Sequence, residues 1–140
     1  MTLRPEDFSP EDTLVAIMFA VSASDETIRT AELVTIERIV NHLPAFAKFD
    51  PARIRDISTA VLDLWAEEDG VDMLWDAVRQ TLPERLYETA YAMACDVAAA
   101  DGQAREGELR LLEDMRHELH IDRLHAAAIE RGARVRHMTP

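Results

Sequence analysis

Apolar residues recur along this chain at intervals of three and four, the spacing that lines up one face of an α-helix. Leu14, Ile17, Met18 and Val21 form the first stripe. Ahead of it stands Ser9-Pro10-Glu11-Asp12, where Ser suits a helix cap, Pro its first turn and the carboxylates the positive end of its dipole. The stripe stops at Ser22-Ala23-Ser24-Asp25-Glu26. A second helix is expected from Thr30, with Leu33, Ile36, Val40 and Leu43 inward and Pro44 as its end. Asp50-Pro51 opens a third, carrying Ile54, Ile57, Val61, Leu62 and Trp65 up to Glu67-Glu68-Asp69-Gly70, and a short helix holds Met73, Leu74 and Val78. Leu82-Pro83-Glu84 begins the next, with Leu86, Ala90, Met93, Ala94 and Val97 on its inner face. Its alanines are strong helix formers with almost no side chain, so a neighbouring helix can come close. After the turn Asp101-Gly102 comes a helix with Leu109, Leu112, Met115 and Leu119 inward. A last helix runs from about Asp122 to Gly132, and Ala133 to Pro140 is expected to fray.

Composition supports this all-α reading. Only 4 glycines and 6 prolines are present, and the prolines fall mostly where helices would start or stop. The expected fold is a compact bundle of about seven helices, residues 1–140 forming one domain large enough to bury an aliphatic core. The formal charge of -12 repels phosphate backbones and offers no basic patch, which counts against nucleic acid as a partner. It attracts divalent cations or basic protein surfaces, or serves solubility alone. No apolar run approaches membrane-spanning length, and the N-terminus lacks a signal pattern, so a cytoplasmic location without membrane insertion is expected. The lone Cys95 excludes an intramolecular disulfide, and its apolar neighbours mark a buried structural thiol.

An offset of 76 residues aligns the chain with itself. Val21 meets Val97, Ala23 meets Ala99, Asp25 meets Asp101, Arg29 meets Arg105, Glu32 meets Glu108 and Glu37 meets Glu113 without a gap. This reads as a duplicated helix-turn-helix unit, residues 14–43 and 90–119, whose apolar faces pack together with bridging helices at 51–80. Each turn carries Asp, then Arg, then Glu seven residues after the Asp. In a calcium-binding EF-hand loop such an Asp, a following Gly and that Glu take the fifth, sixth and twelfth positions. The first and third would here be Val97 and Ala99, or Val21 and Ala23, which cannot ligate. A structural reading is simpler and preferred: Gly102 relaxes the turn, Glu32 and Glu108 complement the dipole of the next helix, and the arginines clamp acidic groups across the turn. The competing reading is a weak divalent-cation site built from Asp25, Glu32, Asp101 and Glu108, with Asp96 as an extra ligand.

Leu82-Pro83-Glu84-Arg85-Leu86-Tyr87-Glu88-Thr89-Ala90, Asp96-Val97-Ala98-Ala99-Ala100-Asp101-Gly102, Glu108-Leu109 and Leu119-His120-Ile121-Asp122 together resemble the TerB-like family of tellurite-resistance proteins. The similarity runs along nearly the whole chain. The second turn is its specific part, and the first departs from it with Glu26 where Gly is expected. The resemblance implies a compact helical bundle, divalent-cation association through acidic turns, and a link to metal or general stress, but no reaction. A related domain precedes the J-domain in membrane-anchored co-chaperones, which implies an adaptor role equally well.

Other constellations are weaker. His117 and His120 lie one turn apart without a third ligand at suitable spacing, and Glu67, Glu68, Asp69, Asp72 and Asp76 read as a hydrated surface. Trp65 and Trp75 are expected in the core or at a bundle seam, although an exposed Trp would mark a partner site. Ser22, Ser24 and Ser58 have no nucleophile-elbow context, and there is no glycine-rich phosphate loop. The first expectation is therefore a non-enzymatic module acting through an unidentified protein partner, its oligomeric state open. A weak cation binder and an undetected hydrolase or transferase are the alternatives, the last requiring a deep pocket with converging polar groups.

Overall fold

The computed structural model describes residues 3–24 and 27–140, and its described residues contain helices and no strand. The α-helices are α1 (Pro10–Ala23), α2 (Thr30–His42), α3 (Ile54–Trp65), α4 (Gly70–Thr81), α5 (Tyr87–Ala99), α6 (Glu106–Glu118) and α7 (Arg123–Arg136), joined in part by single 3-10 turns. The all-α bundle is as expected.

The cap read at Ser9 is present and reciprocal. The Asp12 amide donates to Ser9 Oγ at 3.0 Å, and the Ser9 amide donates to Asp12 Oδ2 at 3.0 Å. The Asp12 carboxylate is wholly buried and also receives Arg53, from Nε at 2.9 Å and Nη2 at 2.6 Å. That fork-to-carboxylate pair bolts the approach to α3 onto the start of α1. Sequence reasoning missed it, because nothing local to either residue announces a partner 41 positions away.

From Asp12 to Ala23, every residue of α1 is buried, so α1 is not the one-sided stripe its spacing suggested. A helix apolar all round belongs at the centre of a bundle, and α1 packs against α2, α3, α4, α5 and α6. The hairpins α1–α2 and α5–α6 thus meet, chiefly through α1 on α5 and α2 on α5. The alanine-rich α5, with Ala90, Ala94 and Ala98 buried, also takes α7 along its other side.

One helix end and several inner faces differ from expectation. The last helix does not end at Gly132: it continues to Arg136, Ala133 is buried, and Arg136 reaches Asp96 Oδ1 from Nη2 at 2.7 Å. Packing and that ion pair outweigh the roughly 1 kcal/mol by which glycine disfavours a helix interior. Leu33, Leu43, Leu62 and Leu109, expected inward, are exposed. In α2 the buried line is Glu32, Ile36 and Val40, and in α6 it includes Glu108, Leu112 and Met115. Each stripe begins on a glutamate, one residue before the leucine, so a count that treats carboxylates as polar starts it one position late.

Trp75 lies in the core, whereas Trp65 is half-buried. Gly70 opens α4 where the chain turns back sharply, and a Cβ there would lie 1.9 Å from the Leu64 carbonyl oxygen. Only glycine fits such an approach of backbone to backbone.

Candidate functional site

The α1–α2 and α5–α6 turns come together at one end of the hairpins. The first residue ahead of each second helix is an arginine with extended backbone, and an Arg side chain has no acceptor with which to cap. The capping task falls to the glutamate three residues on. The Arg29 amide donates to Glu32 Oε1 at 3.1 Å, and the Arg105 amide donates to Glu108 Oε1 at 3.0 Å. Both glutamates are buried, at 1% and 0% exposure, which is unusual for carboxylates. Among the described residues, Glu32 Oε2 meets no hydrogen-bond partner.

Asp101 sits between the two turns. Its Oδ1 accepts from the Gln103 amide at 3.0 Å, and its Oδ2 accepts from Arg105 Nη1 at 2.6 Å. Gly102 follows in the left-handed region at φ 81°, as expected. Across the junction, Arg29 Nε of the first turn approaches Asp101 Oδ2 of the second to 3.8 Å. Each arginine also bonds back to a carbonyl of its own turn, Arg29 to Thr27 at 3.3 Å and Arg105 to Gln103 at 3.2 Å. Burial pushes the Asp101 carboxyl upward, but the Arg105 and Gln103 hydrogen bonds and the two guanidinium charges outweigh it and hold the group below its ordinary range.

Of the residues read as ligands, Glu32, Asp101 and Glu108 are therefore gathered at the paired turns, with arginines interleaved. Asp25 lies outside the described residues. Asp96 is turned to α7, where Arg136 Nη2 meets its Oδ1 at 2.7 Å and His137 Nε2 lies 3.4 Å from the same oxygen. Among the described residues, no group of three His, Cys, Asp or Glu side chains is arranged to hold a metal ion. His117 and His120 border a shallow cleft, and the Glu118 beside them is paired with Arg79 at 2.7 Å. The acidic run from Glu67 to Asp76 is on the surface.

Sequence reasoning did not anticipate a polar cluster between α5, α6 and α7. The buried Tyr91 donates to Glu130 Oε2, and Arg116 Nη1 donates to the same oxygen at 2.7 Å and to Tyr91 Oη at 3.2 Å. Burial, reinforced by Glu130, drives the Tyr91 hydroxyl far above its ordinary value, and burial pushes the adjacent Cys95 thiol up to about 12. Both hold their protons at neutral pH. The only local signal was the i,i+4 spacing of Tyr91 and Cys95 on an apolar helix, which reads as core.

Compared with known protein families, residues 11–131 match the one described as Tellurite resistance protein TerB. No curated protein and no solved structure matches the chain.

Proposed function

The chain belongs to the TerB family of tellurite resistance proteins, and from that premise we propose that it is a non-enzymatic interaction module serving tellurite- or stress-related physiology. The observation that carries this reading is the outward side of α2. While Glu32, Ile36 and Val40 turn inward, Leu33, Val34 and Leu43 remain exposed on a chain of charge -12. Aliphatic side chains left outside on an acidic surface suit a partner with apolar contacts and a basic rim. What weighs against a hydrolase or transferase is that the Tyr91 and Cys95 protons are held tightly, so neither supplies a ready nucleophile.

The test is capture of partners by cross-linking in cells with and without tellurite. A partner specific to the wild-type chain, lost in Leu33→Glu/Val34→Glu while the thermal melt is unchanged, supports the module. Equal capture by both chains, or none under any stress, counts against it.

A second reading, weak divalent-cation binding at the paired turns, is favoured by one observation: the buried, unpartnered Glu32 Oε2 near the junction that Asp101 crosses. A hard cation wants six or more oxygens, and the described residues offer Glu32, Glu108 and an Asp101 already engaged by two arginines. They do not by themselves make a coordination sphere. NMR titration with calcium, magnesium and zinc decides this reading. Saturable shifts at both turns that vanish in Glu32→Gln and Asp101→Ala support it, and a flat response at millimolar ion removes it.

A further inference from the structure

Between α5, α6 and α7 lies a cavity of about 610 Å³, within the range that holds small organic ligands. Its walls owe their width to small side chains, Ala98 and Ala99 on α5 and Ala133 on α7, while Leu109 and Leu112 supply apolar surface from α6. Leu109 is 52% exposed, although it lines this concave space. An aliphatic side chain beside an open apolar wall gains by covering a ligand, which gives its exposure a use.

The polar end is the Tyr91–Arg116–Glu130 cluster. Arg116 makes both of its hydrogen bonds through Nη1, and among the described residues its Nε and Nη2 donate to nothing. Arg134 and Glu113 also line the space, so two arginines face two glutamates and the charges of these four side chains cancel. Neither an anion nor a cation finds a net local attraction there. Spare capacity at this half-exposed end lies in the Arg116 guanidinium N–H donors, which can turn to an acceptor in the cavity.

We propose that this cavity binds a neutral amphiphile, an aliphatic body against the alanine and leucine walls with a carbonyl oxygen accepting from the Arg116 guanidinium. The site borders the α5–α6 turn through Gly102 and Ala104 but does not depend on the interaction role of α2.

Three probes sharing one eight-carbon chain separate the head groups: octanamide, octanoate and octylammonium, each titrated into the full chain and followed by backbone amide NMR. The expected result is a saturable response to octanamide at Ala98, Ala99, Leu109 and Leu112, at least about tenfold tighter than to either charged analogue. Ala99→Leu, which fills the cavity, and Leu109→Glu, which alters only an exposed position, each weaken it by about tenfold or more. Leu109→Glu keeps the test valid should Ala99→Leu fail to fold. No saturable response up to the solubility limit, charged analogues binding as tightly, or binding untouched by Leu109→Glu overturns the proposal.

Discussion

Asp12 and Asp101 show how far a carboxylate's surroundings decide its role. For Asp12, burial alone would raise the pKa, yet the Arg53 and Ser9 hydrogen bonds and the Arg53 charge bring it below the ordinary range. A depressed folded value means that, on acidification, the unfolded chain takes up these protons first. The stabilisation is fully present above the ordinary Asp range, about pH 4, and is lost as pH falls through the lowered folded values. Asp12→Ala is expected to cost about 2–4 kcal/mol at neutral pH, since it orphans Arg53 and removes half of the cap. Urea melts at pH 7 and pH 3 check both points, and the mutant's deficit must shrink at the lower pH. Cys95, with its thiol pushed up to about 12 and buried, is expected to resist thiol reagents in the native state and react freely in denaturant. Rapid native labelling would show that the cavity beside it admits reagent. At this scale the sequence disclosed chemical types but not partners. Arg29 and Arg105 were readable as clamps across a turn, whereas the choice of Asp101 by both depends on how the hairpins pack.

The two interior turns separate two uses of glycine, and their helices respond differently to replacement. Gly102 has a positive φ but nothing within 4 Å of an added Cβ, so Gly102→Ala meets backbone strain alone, about 1–2 kcal/mol. At Gly70 the added carbon collides with the backbone of α3, and Gly70→Ala is expected to cost about 3 kcal/mol or more as α3 and α4 are forced apart. Denaturation midpoints of the two variants test that order, and equal losses would mean the α3–α4 corner yields easily. Helix starts were well marked in the sequence, because caps and first-turn prolines act locally: Ser9, Asp50 and Asp122 each accept from backbone amides as their residue types suggest. Inner faces were less legible. Glu32 and Glu108 are carboxylates pointing inward to serve a backbone amide, so they lead the buried line that the leucines beside them were expected to lead.

For the molecule as a whole, helical class, helix number and family were available from periodicity and motif, since the spacing of apolar residues records a shared core. The end of α7 was not, because Gly132 and the polar tail hide a final turn held by Ala133 and the Arg136–Asp96 pair. Removing residues 133–140 is expected to lower stability by about 2 kcal/mol through the lost burial and the abandoned Asp96, and to open the cavity between α5, α6 and α7. Calorimetry of the shortened chain checks this, and an unchanged melting temperature would relegate the last turn to decoration. Residues facing that cavity could not be assembled from the sequence, because they come from three helices and look, one by one, like ordinary core and surface.

The enclosure of α1 has a practical corollary. With five helices around it, no fraying edge exposes its middle amides to solvent, so deuterium should enter there only when the entire bundle opens. Those amides form an internal gauge of global opening. Whatever docks on the folded protein should slow their exchange by the same factor throughout α1, wherever on the surface it sits.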